Sequence, residues 1–319
     1  MLLGDCLARY MLHDCMAALD YLSKRPDIDA DRIGMTGNSG GGTLTMMMMM
    51  ADSRLKAAAP ATFVTSREAF LTTGQCQDSE QIWRGLSSQG IDHEDGILCM
   101  APKPVLVLAA RHDFFPFFGT VKTFERCRKY WEIYHADDRF ELFCDDSGHE
   151  YSTAMVEKAV SFFTEYLMNE VRNERISGVA EAEPLAEKRL WCTYSGCIRK
   201  DFPDVKGIFE ENREKFSCLE AKKNAWPEEE RRHSAEIFLR EAIFRNRSPV
   251  PLYTRKIRKR KVVLDLVCDS IIWNTQDKMI NHGYLFSDPG KNMGKMPVTI
   301  GLWADGCKSL QQHYTFTVS

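Results

Sequence analysis

Ser39 stands in Gly37-Asn38-Ser39-Gly40-Gly41, a Gly-x-Ser-x-Gly run, and the chemistry that spacing serves is attack by a serine hydroxyl. Such a hydroxyl projects clear of a sheet when the serine occupies a tight strand-to-helix turn in a strained backbone conformation. Small flanking residues let neighbouring backbone pack around that turn. The Gly40 N–H then opens the helix and can donate to a developing oxyanion. The rival readings are a glycine-rich βα turn without catalysis, or a phosphate-binding turn. No Gly-Lys-Ser/Thr is present, which argues against a Walker-type loop.

A serine nucleophile needs a base, and the base needs an orienting carboxylate, in the chain order Ser, Asp or Glu, His. Asp113 lies just past the apolar run 105–110, where α/β sheets place functional loops. His149, in Ser147-Gly148-His149, lies between a strand at 140–144 and the next helix. Other candidates fit less well. His112 neighbours Asp113 on one loop and cannot easily reach back to Ser39. His93 sits on a long insertion, and His135 at a helix end. Asp145 and Asp146 are too near His149 in sequence, and Asp137 and Asp138 precede a strand, at the wrong end of a sheet.

The elements that must hold these residues follow from periodicity. Leu7, Met11, Cys15, Ala18 and Leu22 recur at helical spacing, so 4–23 reads as an amphipathic helix broken by Pro26-Asp27. A short strand at 32–36 ends in Gly37, and a helix follows over 40–51. A small-residue strand spans 56–61. Residues 104–110, apolar and bounded by proline and charge, form the clearest buried strand. Val121, Phe124, Cys127 and Trp131 mark a helix, and Met155, Ala159, Phe162 and Tyr166 another after the 140–144 strand. Strands alternating with helices imply an α/β fold with a mainly parallel sheet flanked by helices.

Beyond residue 170 the character changes. The sequence predicts a catalytic portion over 1–170, a charged linker over 171–189, and a third part over 190–319. In that part 209–219 and 227–245 look helical, with Pro227 at a helix start. The basic stretch 254–261 reads as a solvated linker rather than a nucleic-acid patch, because no interleaved aromatics follow it. Strands are expected at 262–268, 283–286 and 297–303.

The totals set the class. The chain has 319 residues, 44% hydrophobic and 27% charged, with net charge −3 and a pI near 6.3. That is ordinary soluble composition, with no reason to expect nucleic acid or a membrane as partner; the oligomeric state is left open. Met1-Leu2-Leu3 runs at once into Gly4-Asp5, so there is no signal-peptide core and the expectation is cytoplasmic. The 11 cysteines form no CxxC pair, and Cys192 and Cys197 have no histidine at metal-ligand spacing. Buried free thiols are expected, with no metal and no cofactor. Methionines, five of them at 46–50, suggest adaptable core packing.

Several stretches together resemble the acetylxylan-esterase-like branch of the α/β-hydrolase serine esterases, near the dienelactone hydrolases and prolyl-oligopeptidase-like esterases. They are Ala18-Leu-Asp-Tyr-Leu22 with Arg25-Pro-Asp-Ile-Asp29, then Arg32-Ile-Gly-Met-Thr-Gly-Asn-Ser-Gly-Gly-Gly-Thr43, Gln77-Asp-Ser-Glu-Gln81, Asp113-Phe-Phe-Pro116 and Gly148-His149. The resemblance implies a Ser39, Asp113, His149 triad, Gly40 as oxyanion donor, and hydrolysis of short acyl esters, carbohydrate acetyl esters first among them. Asp78 and Glu80, in one of these stretches, and His93, in Ile91-Asp-His-Glu94, also look family-like, and a structural polar cluster is their expected role. In the family several strands precede the helix that leads to the serine, so an N-terminally truncated fold is expected. Leu190-Trp-Cys-Thr-Tyr-Ser-Gly196 and 297–306 resemble the start of a tandem second hydrolase domain.

Two alternatives stand beside the esterase: a prolyl-oligopeptidase-like peptidase with the same triad, and a catalytically impaired hydrolase fragment. The strand at 297–303 is expected either to begin a separate domain or to pair with 32–36. Pairing would bring Asp305 and Gly306 near the oxyanion site.

Overall fold

The computed structural model describes residues 3–83, 85–171, 183, 185–243, 245, 255–263, 266–288, 290 and 298–300. The helical apolar stripe near the N-terminus becomes α1 (Leu7–Leu22). β1 (Gly34–Asn38) leads through Ser39 into α2 (Gly40–Ala51), followed by β2 (Ala57–Ala61), α3 (Arg67–Leu71) and α4 (His93–Leu98). β3 (Val105–Ala110), α5 (Phe117–Ile133), β4 (Phe140–Asp145) and α6 (Thr153–Met168) complete the alternation. The first strand therefore starts two residues later than the 32–36 expectation. Arg32 Nε donates to Asp29 Oδ2 at 2.6 Å, which holds it in the preceding turn.

The four strands form a parallel sheet in the order β1-β2-β3-β4. Alternate side chains go to opposite faces, as a pleated strand requires. Ala58, Val105 and Val107 join Leu19, Met48, Ile97 and Trp131 in one cluster; Ala57, Ala59, Ala61, Leu106 and Leu108 join Met155, Ala159 and Phe162 in the other. A strand buried on both faces carries no polar alternation, which is why 105–110 is continuously apolar. Met46 to Met49 are buried as expected, whereas Met50, at the end of the run, is exposed.

Pro60 lies in the middle of β2. Ala58 N–H donates to Pro104 O at 3.1 Å and Thr62 N–H to Leu108 O at 2.9 Å. The N–H that this alternation would present between them is absent, because proline has none.

Trp131 is fully buried, stacks on Phe140 with ring centres 4.3 Å apart, and donates from Nε1 to Lys103 O at 3.0 Å. Trp131→Ala is expected to cost about 4 kcal/mol of stability, read as a shift of the urea midpoint without a change in slope.

The chain divides into two compact units, Met1–Glu220 and Ala221–Ser319. After α6 come α7 (Ile198–Asp201), α8 (Ile208–Asn224) and α9 (Glu228–Phe238). In the second unit β5 (Arg255–Val263), β6 (Leu266–Gln276) and β7 (Met279–Ser287) form an antiparallel sheet. The basic stretch 254–261 is thus largely strand and not a linker. Its backbone pairs with β6, a contact that needs no apolar alternation in the sequence.

The two alternatives for 297–303, a separate domain or pairing with 32–36, fall largely outside the described residues. Val298–Ile300 is described without strand structure, residues 297 and 301–303 are not among the described residues, and among those that are, β1 pairs with β2. Most of 171–189 also lies outside them. The described cysteines are free, but only Cys127 and Cys268 are buried, so the expectation of buried thiols holds for those two. No helix among the described residues is long and apolar enough to cross a membrane.

Candidate active site

Parallel register puts the carboxyl ends of all four strands on one edge, where the loops of an open α/β sheet form ligand crevices. Ser39 follows β1 with φ 58° and ψ −114°, a conformation costly for a residue with a Cβ. The turn is held by its own amide. Ser39 N–H lies 3.0 Å from Ala61 O and 3.1 Å from Thr62 Oγ1. Thr62 Oγ1 donates to Asn38 Oδ1 at 2.6 Å. Thr43 N–H donates to Ser39 O at 2.9 Å, so α2 begins at Gly40, whose N–H has no preceding helical carbonyl to bond.

Two glycines make this turn possible. A methyl group on Gly37 would sit 2.7 Å from Gly41 backbone atoms. On Gly42 it would collide with Ala61 O and lie 2.9 Å from Phe63 Cβ. On Gly41 it would meet nothing within 4 Å. The close approach therefore falls on Gly37 and Gly42, one of which lies outside the five-residue motif.

Asp113 and His149 come together on the same edge. His149 Nδ1 lies 2.9 Å from Asp113 Oδ1 and 3.1 Å from Oδ2. The Asp113 side chain is 2% exposed and that of His149 24%, so the carboxylate is sealed while the imidazole keeps an open face. An ionised carboxylate only accepts, so Nδ1 carries the proton and Nε2 is left with its lone pair free to accept one. Phe115 N–H donates to Asp113 Oδ1 at 3.0 Å. The Phe114 ring lies 4.2 Å from the imidazole, fixing its plane. The two loops are tied by Arg111 N–H to Asp145 O at 2.9 Å and His112 N–H to Ser147 O at 3.0 Å.

No hydrogen bond joins Ser39 to His149 or Asp113 among the described residues. The competitors are engaged elsewhere. His112 Nε2 bonds Asp146 Oδ1 at 2.9 Å in an exposed pair. The Asp145 carboxyl is held below its ordinary range by a hydrogen bond from the Ser152 side chain. His135 is exposed, and His93 is fully buried. Asp78 is exposed; Glu80 Oε1 would lie 3.6 Å from a methyl group on Gly40. Asp305 and Gly306 lie outside the described residues. Sequence reasoning missed Thr62 and Asn38 as supports of the turn. The one available signal was their place at the carboxyl ends of adjacent strands.

Residues 6–170 match the prolyl oligopeptidase family. The chain belongs to that family. It shares the α/β-hydrolase fold of the group, with a parallel sheet flanked by helices. This prolyl oligopeptidase family member is 26% identical over 170 residues to YtaP of Bacillus subtilis (strain 168), an alignment covering 52% of this chain and 56% of YtaP. The chain thus spans little more than half the length of that relative. Among solved structures it is similar to a carbohydrate esterase family 15 glucuronoyl esterase from Caldicellulosiruptor kristjansonii, with TM-score 0.43, 19% identity, and 55% and 56% of the two chains covered. It is also similar to a recombinant glucuronoyl esterase from Sporotrichum thermophile, with TM-score 0.46, 14% identity, and 56% and 58% covered.

Proposed function

We propose that this protein is a serine carboxylic-ester hydrolase acting on short acyl esters, with Ser39, His149 and Asp113 as its triad. The observation that carries the reading is the sealed Asp113 carboxylate on His149 Nδ1, at the strand edge where the strained Ser39 turn also ends. Ser39 Oγ attacks the ester carbonyl while His149 Nε2 takes its proton. The Gly40 N–H stabilises the oxyanion. The imidazolium returns the proton to the leaving alkoxide, giving alcohol and acyl-enzyme. Water, deprotonated by His149, then releases the carboxylic acid and restores the serine.

Acetyl esters of carbohydrates are the proposed substrates, an expectation that rests on the resemblance of the motif stretches. Phe114 and Phe115 divide the question of chain length. Phe115 is buried against Phe63 and Phe70 and packs the loop, whereas Phe114 is 42% exposed beside His149. Phe114 and the likewise exposed Phe118 offer apolar surface to a longer chain, so the short-acyl preference rests on the motif resemblance and not on these rings. Hydrolysis of p-nitrophenyl acetate is expected to exceed that of the octanoate ester about tenfold in kcat/KM, roughly the reach of differential packing of a few methylenes. A preference for octanoate would reverse the assignment.

The family also includes peptidases, so the amine-leaving reaction is the second reading. A fluorophosphonate probe should label Ser39 under either reading. Turnover of the acetate ester without cleavage of a prolyl-peptide anilide supports the esterase. Absence of label on Ser39 overturns both.

A further inference from the structure

Three buried hydrogen-bond donors near residues 65–93 have no partner among the described residues: Arg67 Nε, Gln77 Nε2 and His93 Nε2. Their chemistry is fixed by what their other atoms do. Arg67 Nη1 donates to Gln77 Oε1 at 3.1 Å, so the free end of the Gln77 amide is its NH2. Thr65 N–H donates to His93 Nδ1 at 3.1 Å, so a neutral imidazole carries its proton on Nε2. His93 is fully buried, with its ring stacked on Phe63 at 4.6 Å, and burial pushes it down to about 4, which keeps it neutral.

Among the described residues the half-buried Arg67 guanidinium also has no ion-pair partner. Its Nη2 reaches only Gln81 O, at 3.5 Å, and desolvation lowers its pKa. Asp92, the anion that acts on both Arg67 and His93, is already engaged. It accepts from Arg67 N–H at 3.0 and 3.1 Å and from His93 N–H at 2.7 Å. What remains among the described residues is a guanidinium in no direct ion pair, near an Asp92 held by backbone N–H groups, and orphan atoms that all donate.

We propose that Arg67, Gln77 and His93 form a binding site for a carboxylate, distinct from Ser39, Asp113 and His149 and independent of their role. Three orphan donors call for a group that only accepts. A water molecule accepts two bonds and brings two hydrogens that these atoms cannot receive. A carboxylate offers two oxygens to the three donors and one negative charge to the one guanidinium. A phosphate dianion would bring a second buried charge with nothing to neutralise it. Arg67 and Gln77 are partly open to solvent, whereas His93 is fully buried.

The test titrates sodium acetate into the full chain, with sodium chloride at equal ionic strength as reference, and follows the thermal midpoint and the His93 Nε2 proton resonance. The expected result is a saturable rise of the midpoint specific to acetate, with the His93 signal shifting in step. Arg67→Gln should weaken acetate at least tenfold. Gln77→Glu, which brings a carboxylate of its own to Arg67 in the same shape, should raise the midpoint and remove the acetate dependence. Ser39→Ala should keep the dependence, separating this site from acetate bound as a reaction product. No acetate-specific shift overturns the proposal. So does a shift that persists in both Arg67→Gln and Gln77→Glu, or a larger effect of inorganic phosphate than of acetate.

Discussion

Ser39→Ala is expected to lower kcat/KM for p-nitrophenyl acetate by about 10,000-fold or more, with the far-ultraviolet circular dichroism unchanged. His149→Ala should lose as much, and the double variant no more, because nucleophile and base act as one unit. Asp113→Asn should fall by a similar factor for another reason. An amide facing Nδ1 can donate its N–H, which turns the imidazole to the tautomer whose Nε2 is protonated and cannot act as base. His112→Ala is the control, since its Nε2 is on Asp146 at the surface. Loss on His112→Ala equal to that on His149→Ala would sink the assignment, as would more than a tenth of the activity remaining in Ser39→Ala.

Gly42→Ala is the second large effect, and it falls on stability. The added methyl group would meet Ala61 O and the Phe63 side chain, both buried and neither able to swing away. A cost of about 3 kcal/mol is expected from this overpacking. Gly41→Ala is the matched comparison. Its methyl group meets nothing, and alanine suits a helix better than glycine, so a gain of about 0.5 kcal/mol is expected there. Equal midpoints for the two variants in chemical denaturation would refute the idea that the turn is built on Gly42.

The contrast between these glycines shows what a sequence pattern can carry. The run Gly37 to Gly41 locates the serine, yet the residue that sets the closeness of α2 to β2 is the next one along. Nothing in spacing distinguishes Gly41 from Gly42; only the position of the Ala61 carbonyl does. The strands divide the same way. Val105 to Ala110 is bounded correctly by its apolar run, because burial on both faces leaves no other composition open. The first strand is displaced by two residues, because Ile33 looks apolar while the ion pair of Arg32 with Asp29 keeps the chain in a turn.

The pairing of Asp113 with His149 was legible because chain order and strand ends are sequence properties. The cluster around His93 was not. Its character depends on which donors remain unpaired after folding, and Arg67 shows no pattern at all in the chain. The fate of 254–261 failed on a related ground. A strand held by backbone pairing to a neighbour leaves no mark in charge or hydropathy.

The missing rung at Pro60 bears on how heat should act on the proposed activity. The Ser39 amide is fastened to the β2 end of the sheet, whereas Asp113 and His149 ride on loops fastened to β3 and β4. The reach from hydroxyl to imidazole is therefore set across the β2–β3 seam, the place where proline leaves one donor out. Breathing there would carry the two halves of the machinery apart while each stayed intact, much as a gate sags at its hinge before its panels warp. Turnover should then fade on warming before the sheet melts, and the amide protons of Ala58 and Thr62 should exchange with solvent ahead of those between β3 and β4.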